Sequence, residues 1–231
     1  MRWYEKWFCN FVKAGAKIPQ CNICLLISIK ILFFIYLNIA IAIIMDGNRR
    51  YAQNRLQAEK HEGHSHGLQK LIDTMEWCLQ LGISEVSVFA LAIDNLKRSQ
   101  KEVDVLFSLV KNSFKKFANE REFFVRNDVR VRILGRINLL PEDVQEPLYD
   151  VMEETQNNKS GTINIYICYN SVQEFIDCAH KCREECKETG AEYSDEMFEN
   201  NFYGGKISPQ ILIRTSNEVR LSNFMLFQGK N

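Results

Sequence analysis

Residues 41–53 read IAIIMDGNRRYAQ, an apolar run that stops abruptly at Asp46 and continues without a spacer into Gly47, Asn48, Arg49 and Arg50. The run describes a buried strand. A solvated turn would serve the topology after it, so an acid and paired arginines at this point call for another reason. A carboxylate holds a hard cation, and guanidinium forks match phosphate oxygens. The order strand, acid, glycine, arginines therefore describes a site that handles a metal and phosphate together.

The rest of the chain sets the frame for that site. Its 231 residues form one large domain or two small ones, enough for a substantial core. Lys and Arg total 29, as do Asp and Glu, so bulk basicity gives no sign of nucleic acid, and anion binding must come from local clusters. With 46% hydrophobic residues the chain as a whole is not of the disordered class.

Outward from the motif, elements alternate. Leu68, Leu71, Ile72, Met75 and Leu79 mark a helix that stops at Gly82, and residues 84–91 (SEVSVFAL) read as a strand. Val103, Leu106, Val110, Phe114 and Phe117 mark a longer helix, and 129–135 (VRVRILG) alternates as a strand. Pro141 opens a helix through about Thr155, with Pro147 placed to bend it. Residues 162–169 (TINIYICY) form a buried strand, a helix ends near Gly190, and Pro209 precedes the last strand, ILIRTS. Strands separated by helices predict an α/β fold with a mostly parallel central sheet covered by helices.

In such sheets ligands bind beyond the carboxyl ends of strands. Three polar clusters fall at such ends: Asp46 to Arg50, Asp94 to Arg98, and Arg214 to Arg220. Neither GxGxxG nor GxxxxGK[ST] occurs, which leaves dinucleotide and P-loop readings without support. Several arginines and one well-placed acid are what a diphosphate–magnesium complex requires.

Eight cysteines raise zinc or disulfides as alternatives. Cys21 and Cys24 form a CxxC in an apolar run without a second CxxC, and Cys178, Cys182 and Cys186 lie four apart on one side of a helix. That spacing does not complete a zinc site, and reduced thiols are the better reading. The sequence HEGHSHG also leaves open a metal cluster of His61, His64 and His66.

The N-terminal 40 residues are unusual. Trp3, Trp7, Phe8, Phe11 and Val12 recur at helical spacing, so residues 1–18 read as an amphipathic helix for a membrane surface, a hydrophobic partner or the chain's own domain. Residues 19–40 are an apolar insertion. Ten Leu, Ile and Phe residues between Leu25 and Leu37, at roughly −0.5 kcal/mol each, outweigh Lys30 at about +3 kcal/mol, so membrane insertion is physically allowed. The same Ile, Leu, Phe, Lys, Asn and Tyr bias is also that of translated AT-rich non-coding sequence. The remaining domain spans 41–231.

In order along the chain, IAIIMDGNRRYA, EGHSHG (62–67), VFALAIDNLKRSQKEVD (88–104), VRVRILG and ILIRTSNEVRLSNFMLFQ (211–228) resemble the signature blocks of the cis-prenyltransferases, the undecaprenyl diphosphate synthase family. The start, WYEKWFCNFVKAG, is similar to that of the family's eukaryotic catalytic subunits. The resemblance covers nearly the whole chain outside about 19–40. It implies a transferase that condenses isopentenyl diphosphate with an allylic diphosphate, farnesyl diphosphate, into a long-chain cis-polyprenyl (dehydrodolichyl) diphosphate that feeds dolichol and protein glycosylation. By the same resemblance Asp46 binds Mg2+, and Asp46, His64 and Asn95 stand beside the reacting groups. Gly47, Asn48, Arg49 and Arg50 hold the allylic diphosphate, with Tyr51 and Lys60 also in contact with substrate. Arg98, Arg214, Arg220 and Ser222 hold the diphosphate of isopentenyl diphosphate, and Glu102 orders its loop. The Leu106, Val110, Phe114 stripe serves both as core and as wall of an apolar tunnel.

The resemblance also implies a Nogo-B receptor-type partner subunit, a location at the cytoplasmic face of the endoplasmic reticulum membrane, and further family elements past the position of Asn231, so that the domain is incomplete at its C-terminus. Four positions depart from the pattern: Ala40 for histidine, Ala92 for serine, Asp94 for glutamate, and Lys60 for arginine, which keeps the charge and loses the fork. Two other functions compete. A non-catalytic scaffold subunit of the same superfamily has no need of an acid beside paired arginines, and a phosphate hydrolase using Asp46 lacks a second acid in a recognisable motif.

Overall fold

The computed structural model describes residues 39–47, 62–119 and 121–230. The amphipathic and apolar N-terminal segments lie outside the described residues, except that of the expected insertion Ile39 is buried in the core and Ala40 is the first residue of a strand.

Among the described residues five strands form one sheet: β1 (Ala40–Ile44), β2 (Glu85–Phe89), β3 (Val129–Leu134), β4 (Gly161–Tyr166) and β5 (Ile211–Arg214). Their order is β3-β4-β2-β1-β5, and all four neighbouring pairs are parallel. Parallel neighbours need a crossover. These are supplied by α1 (Glu62–Gln80), α2 (Gln100–Asn119) with α3 (Arg121–Arg126), α4 (Glu142–Thr155), and α5 (Ser171–Thr189) with α6 (Asp195–Asn200). Sequence periodicity anticipated the long elements. It did not anticipate the short α3 and α6, nor the 3-10 turn Ile93–Lys97, since one or two turns carry too little period to detect.

Each strand forms where β-branched residues cluster, and apolar side chains are buried on both faces of the sheet, with Ser87 and Asn164 a buried polar pair on the face of Ala42. Every residue of β1 is buried. Successive side chains alternate faces, so Ile41 and Ile43 join one core and Ala42 and Ile44 another. The first core packs Val86, Val88, Val131 and Ile163 against Leu71 and Met75 of α1, Phe124 of α3 and Leu148 of α4. Leu148 is fully buried, which is worth about 1.5–3 kcal/mol. Its helix continues through Pro147, whose ring removes a single intrahelical bond. On the second face Tyr166, Tyr169, Ile207, Phe224 and Met225 close over Ala42 and Ile44, so irregular segments near 203–207 and 224–225 cover that side.

α1 ends at Gln80, and Gly82 with φ +77° turns the chain while Ile83 N donates to Cys78 O at 2.9 Å. The Leu106–Val110–Phe114 stripe of α2 lies against the first core, with Phe114 buried and Leu106 and Val110 partly so.

Among the described residues Cys178, Cys182 and Cys186 are free thiols on α5 that meet α6. Cys178 Sγ lies 3.1 Å from Asn201 O, and Cys186 Sγ lies 3.6 Å from Met197 Sδ. Burial pushes the Cys178 thiol up to about 12. Among the described residues no group of three His, Cys, Asp or Glu residues is placed to hold a metal.

Candidate functional site

Ile44 of β1 pairs with both Phe89 of β2 and Arg214 of β5, so these three strands end at the same edge. The three polar clusters read from the sequence therefore leave the sheet side by side.

The first and third clusters are joined directly. Arg214 Nη2 lies 2.9 Å from Asp46 Oδ2, and Arg214 Nη1 donates to Ser222 Oγ at 2.8 Å and to the Arg220 carbonyl. The Arg214 side chain is only 12% exposed, so its charge is held where water is scarce. Its Nε is buried without a hydrogen-bond partner among the described residues. The Asp46 side chain is 35% exposed, so the pair is worth on the order of 1 kcal/mol or less and can be opened by a stronger ligand.

The backbone at Asp46 is clamped by two residues to which sequence reasoning assigned no role. Thr215 Oγ1 accepts from Asp46 N at 2.8 Å and donates to Asp46 O at 2.7 Å, and Ser216 Oγ donates to the same carbonyl at 2.8 Å. Asp46 Oδ1 accepts from Gly47 N at 2.6 Å. Gly47 has φ +91°, and a Cβ there would stand 1.8 Å from Ser216 Oγ, so glycine is required by both conformation and space. The signal for Thr215 and Ser216 was their place directly after a strand that pairs with the motif strand, which becomes visible only once β1 and β5 are known to be neighbours.

Arg220 is exposed and paired with Glu218 at 2.7 Å. The Arg220 guanidinium, with the backbone N–H groups of Arg220 and Val219, holds the Glu218 carboxyl down to about 2. Around it Ser216, Asn217, Ser222, Asn223 and Met225 all have φ between +48° and +69°, an uncommon density of left-handed non-glycine residues in one loop.

The second cluster forms the 3-10 turn. Asp94 accepts from Lys97 Nζ at 2.7 Å and from Asn170 Nδ2 at 3.2 Å, and the Lys97 bond leads the lowering of its pKa. Asn170 in turn caps α5 through Val172 N at 2.9 Å. Ala92 bridges Tyr169 through its backbone. Asn95 is half-buried and Arg98 exposed. Ser99 Oγ donates to Glu102 Oε2 at 3.0 Å at the start of α2. The hydrogen bonds of this turn run to Asn170 and Tyr169 rather than to the Asp46–Arg214 pair.

The structure thus brings together Asp46, Gly47, Arg214, Arg220 and Ser222, with Asn95 and Arg98 on the same sheet edge. His64 lies in the first turn of α1. Asn48, Arg49, Arg50, Tyr51, Lys60 and His61 lie outside the described residues. The chemistry of the donor set at Asp46 fits magnesium: one hard carboxylate at a strand end, whose remaining ligands would come from phosphate oxygens and water. Magnesium there would be held by Asp46.

An acid–arginine cluster thus stands at the carboxyl edge of a parallel α/β sheet, where such sheets bind their ligands. The chain belongs to the undecaprenyl diphosphate synthase family, whose profile matches residues 44–231. It is 41% identical over 192 residues to the dehydrodolichyl diphosphate synthase complex subunit of Homo sapiens, covering 81% of this chain and 57% of that protein. To the mouse (Mus musculus) subunit it is 40% identical over 229 residues, 97% of this chain and 62% of the relative. The tritrans,polycis-undecaprenyl-diphosphate synthase (geranylgeranyl-diphosphate specific) of Methanopyrus kandleri is 41% identical over 81% of this chain and 70% of its own. The chain therefore spans about three fifths of the length of its mammalian relatives. Among solved structures, lavandulyl diphosphate synthase from Lavandula x intermedia, in complex with dimethylallyl diphosphate, matches with TM-score 0.74 and 27% identity over 82% of each chain. A probable undecaprenyl diphosphate synthase from Campylobacter jejuni matches with TM-score 0.63 and 30% identity, over 82% of this chain and 80% of that one.

Proposed function

We propose that this chain is the catalytic subunit of a cis-prenyltransferase, which condenses isopentenyl diphosphate with farnesyl diphosphate and repeats the step to build a long-chain cis-polyprenyl diphosphate for dolichol synthesis. In each cycle the allylic C–O bond to diphosphate breaks, one C–C bond forms and one proton leaves. The observation that carries the reading is the contact between Asp46 and Arg214, which sets a cation-binding carboxylate beside an anion-binding cluster at one sheet edge.

Asp46 holds Mg2+, and Arg214, Arg220 and Ser222 together with Arg98 receive the diphosphate of isopentenyl diphosphate. The Gly47–Arg50 stretch, with Tyr51 and Lys60, holds the allylic diphosphate, while Asn95 and His64 stand beside the reacting groups. Magnesium, when bound, offsets charge on the departing diphosphate oxygens. Guanidinium groups fixed before the reaction add to that stabilisation without reorganising during it.

The subunit works with a Nogo-B receptor-type partner at the cytoplasmic face of the endoplasmic reticulum membrane, where an apolar product passes into lipid. The amphipathic segment 1–18 supports that placement. The test is incorporation of radiolabelled isopentenyl diphosphate into polyprenyl diphosphate, with farnesyl diphosphate and Mg2+, with and without the partner. Product that requires the partner and Mg2+ is expected, and no incorporation under either condition overturns the proposal.

A further inference from the structure

Glu174 sits in the first turn of α5 and is completely buried. Three donors converge on its two carboxylate oxygens: Tyr169 Oη at 2.6 Å and Gln228 Nε2 at 2.9 Å on Oε2, and Tyr203 N at 2.9 Å on Oε1. Burial pushes the Glu174 carboxyl above its ordinary range. A buried acid is costly unless its lone pairs are matched, so three donors from three separate parts of the chain need a reason.

The reason lies in what Gln228 belongs to. Residues 221–228 follow Arg220 directly, and the same turn of α5 grips them at two further points. Ser171 N donates to Asn223 O at 2.9 Å, and Leu226 N donates to Ser171 Oγ at 3.0 Å. Ser171 Oγ also lies 3.1 Å from Tyr169 Oη, which continues the chain of bonds to Glu174. Between these anchors Phe224 and Met225 are fully buried, and Phe224 stacks on Phe89 at 4.7 Å. The segment is thus pinned although Ser222, Asn223 and Met225 all have positive φ. A left-handed non-glycine run persists only where its surroundings over-determine it.

We infer that Glu174 is a positioning residue for the diphosphate cluster: through Gln228 and Tyr169 it fixes segment 221–228 and thereby the places of Ser222 and Arg220, which it never touches. The inference rests on the reading above of Arg220 and Ser222 as isopentenyl diphosphate ligands. Glu174→Met is similar in length and removes both acceptor oxygens, so all three bonds are lost.

The experiment compares Glu174→Met with wild type in the full-length chain with its partner, by steady-state kinetics and amide hydrogen exchange. The KM for isopentenyl diphosphate should rise about tenfold while that for farnesyl diphosphate changes less than twofold. Amides of Phe224–Gln228 should exchange at least tenfold faster, with β1 and β2 unchanged. Should Glu174→Met fail to fold, Gln228→Met, which leaves the Tyr169 and Tyr203 bonds in place, must give the same selective pattern. Equal rises in both KM values with faster exchange everywhere would mean a merely structural role and overturn the proposal, as would unchanged exchange in 224–228. A wild-type complex that turns over no isopentenyl diphosphate overturns the functional reading instead, and the exchange comparison still decides whether Glu174 holds the segment.

Discussion

Arg214 Nη2 lies 2.9 Å from Asp46 Oδ2 across the ends of two neighbouring strands, while Nη1 holds Ser222 and the Arg220 carbonyl. One guanidinium therefore links the proposed metal ligand to the proposed diphosphate cluster, whereas Arg220 reaches outward to Glu218. The two arginines should consequently respond differently. Arg220→Ala removes a charge-assisted contact of about 1.5–3 kcal/mol and should raise the KM for isopentenyl diphosphate roughly 10- to 100-fold with little change in kcat. Arg214→Ala should lower kcat as well, by tenfold or more, because it also releases Asp46. Steady-state kinetics on both variants checks this, and identical profiles would remove the linking role from Arg214.

Asp46→Asn preserves the size of the side chain and removes its charge. Turnover should fall at least about 100-fold, in keeping with loss of a preorganised electrostatic group. The fold should persist, because Thr215 and Ser216 hold the backbone of residue 46 rather than its carboxylate. Thermal melting beside radiolabel incorporation separates the two effects. Near-wild-type turnover would remove Asp46 from the reaction.

Gly47→Ala should destabilise the protein by about 1–3 kcal/mol through its φ of +91°. The added Cβ also meets Ser216 Oγ at 1.8 Å, so Gly47→Ala and Ser216→Gly should couple. In a denaturation double-mutant cycle the pair should cost less than the sum of the single variants, by about 0.5 kcal/mol or more. Strict additivity would show that the loop after β5 moves aside without cost.

Glu218 offers a titration that reports on the loop itself. Its folded value of about 2 lies below the ordinary 4.5, so any stability it contributes is present above 4.5 and is lost as pH falls toward 2. The leading cause is the hydrogen bond from Arg220. In Arg220→Ala the Glu218 carboxyl resonance, followed by NMR, should therefore titrate closer to 4.5. An unchanged midpoint would show that the two backbone N–H groups hold the carboxylate without the guanidinium.

Much of the architecture was legible because it depends on period and punctuation. Runs such as VRVRIL and Leu71–Met75 carry their spacing in the chain, and Gly82 and Gly190 mark helix ends as expected. The short α3 and α6 escaped because a helix of six residues holds under two turns of pattern.

The sequence by itself determined the class of fold, the family resemblance and the acid–glycine–arginine motif, since residue type and spacing along one chain suffice for these. Only the tertiary structure decided that Ile44 stands beside Arg214, that Thr215 and Ser216 clamp Asp46, and that Glu174 reaches Gln228. Those partners are separated by 54 to 170 positions. Which of them meet depends on strand order and crossover, and these are set by the burial of both sheet faces together rather than by any local pattern.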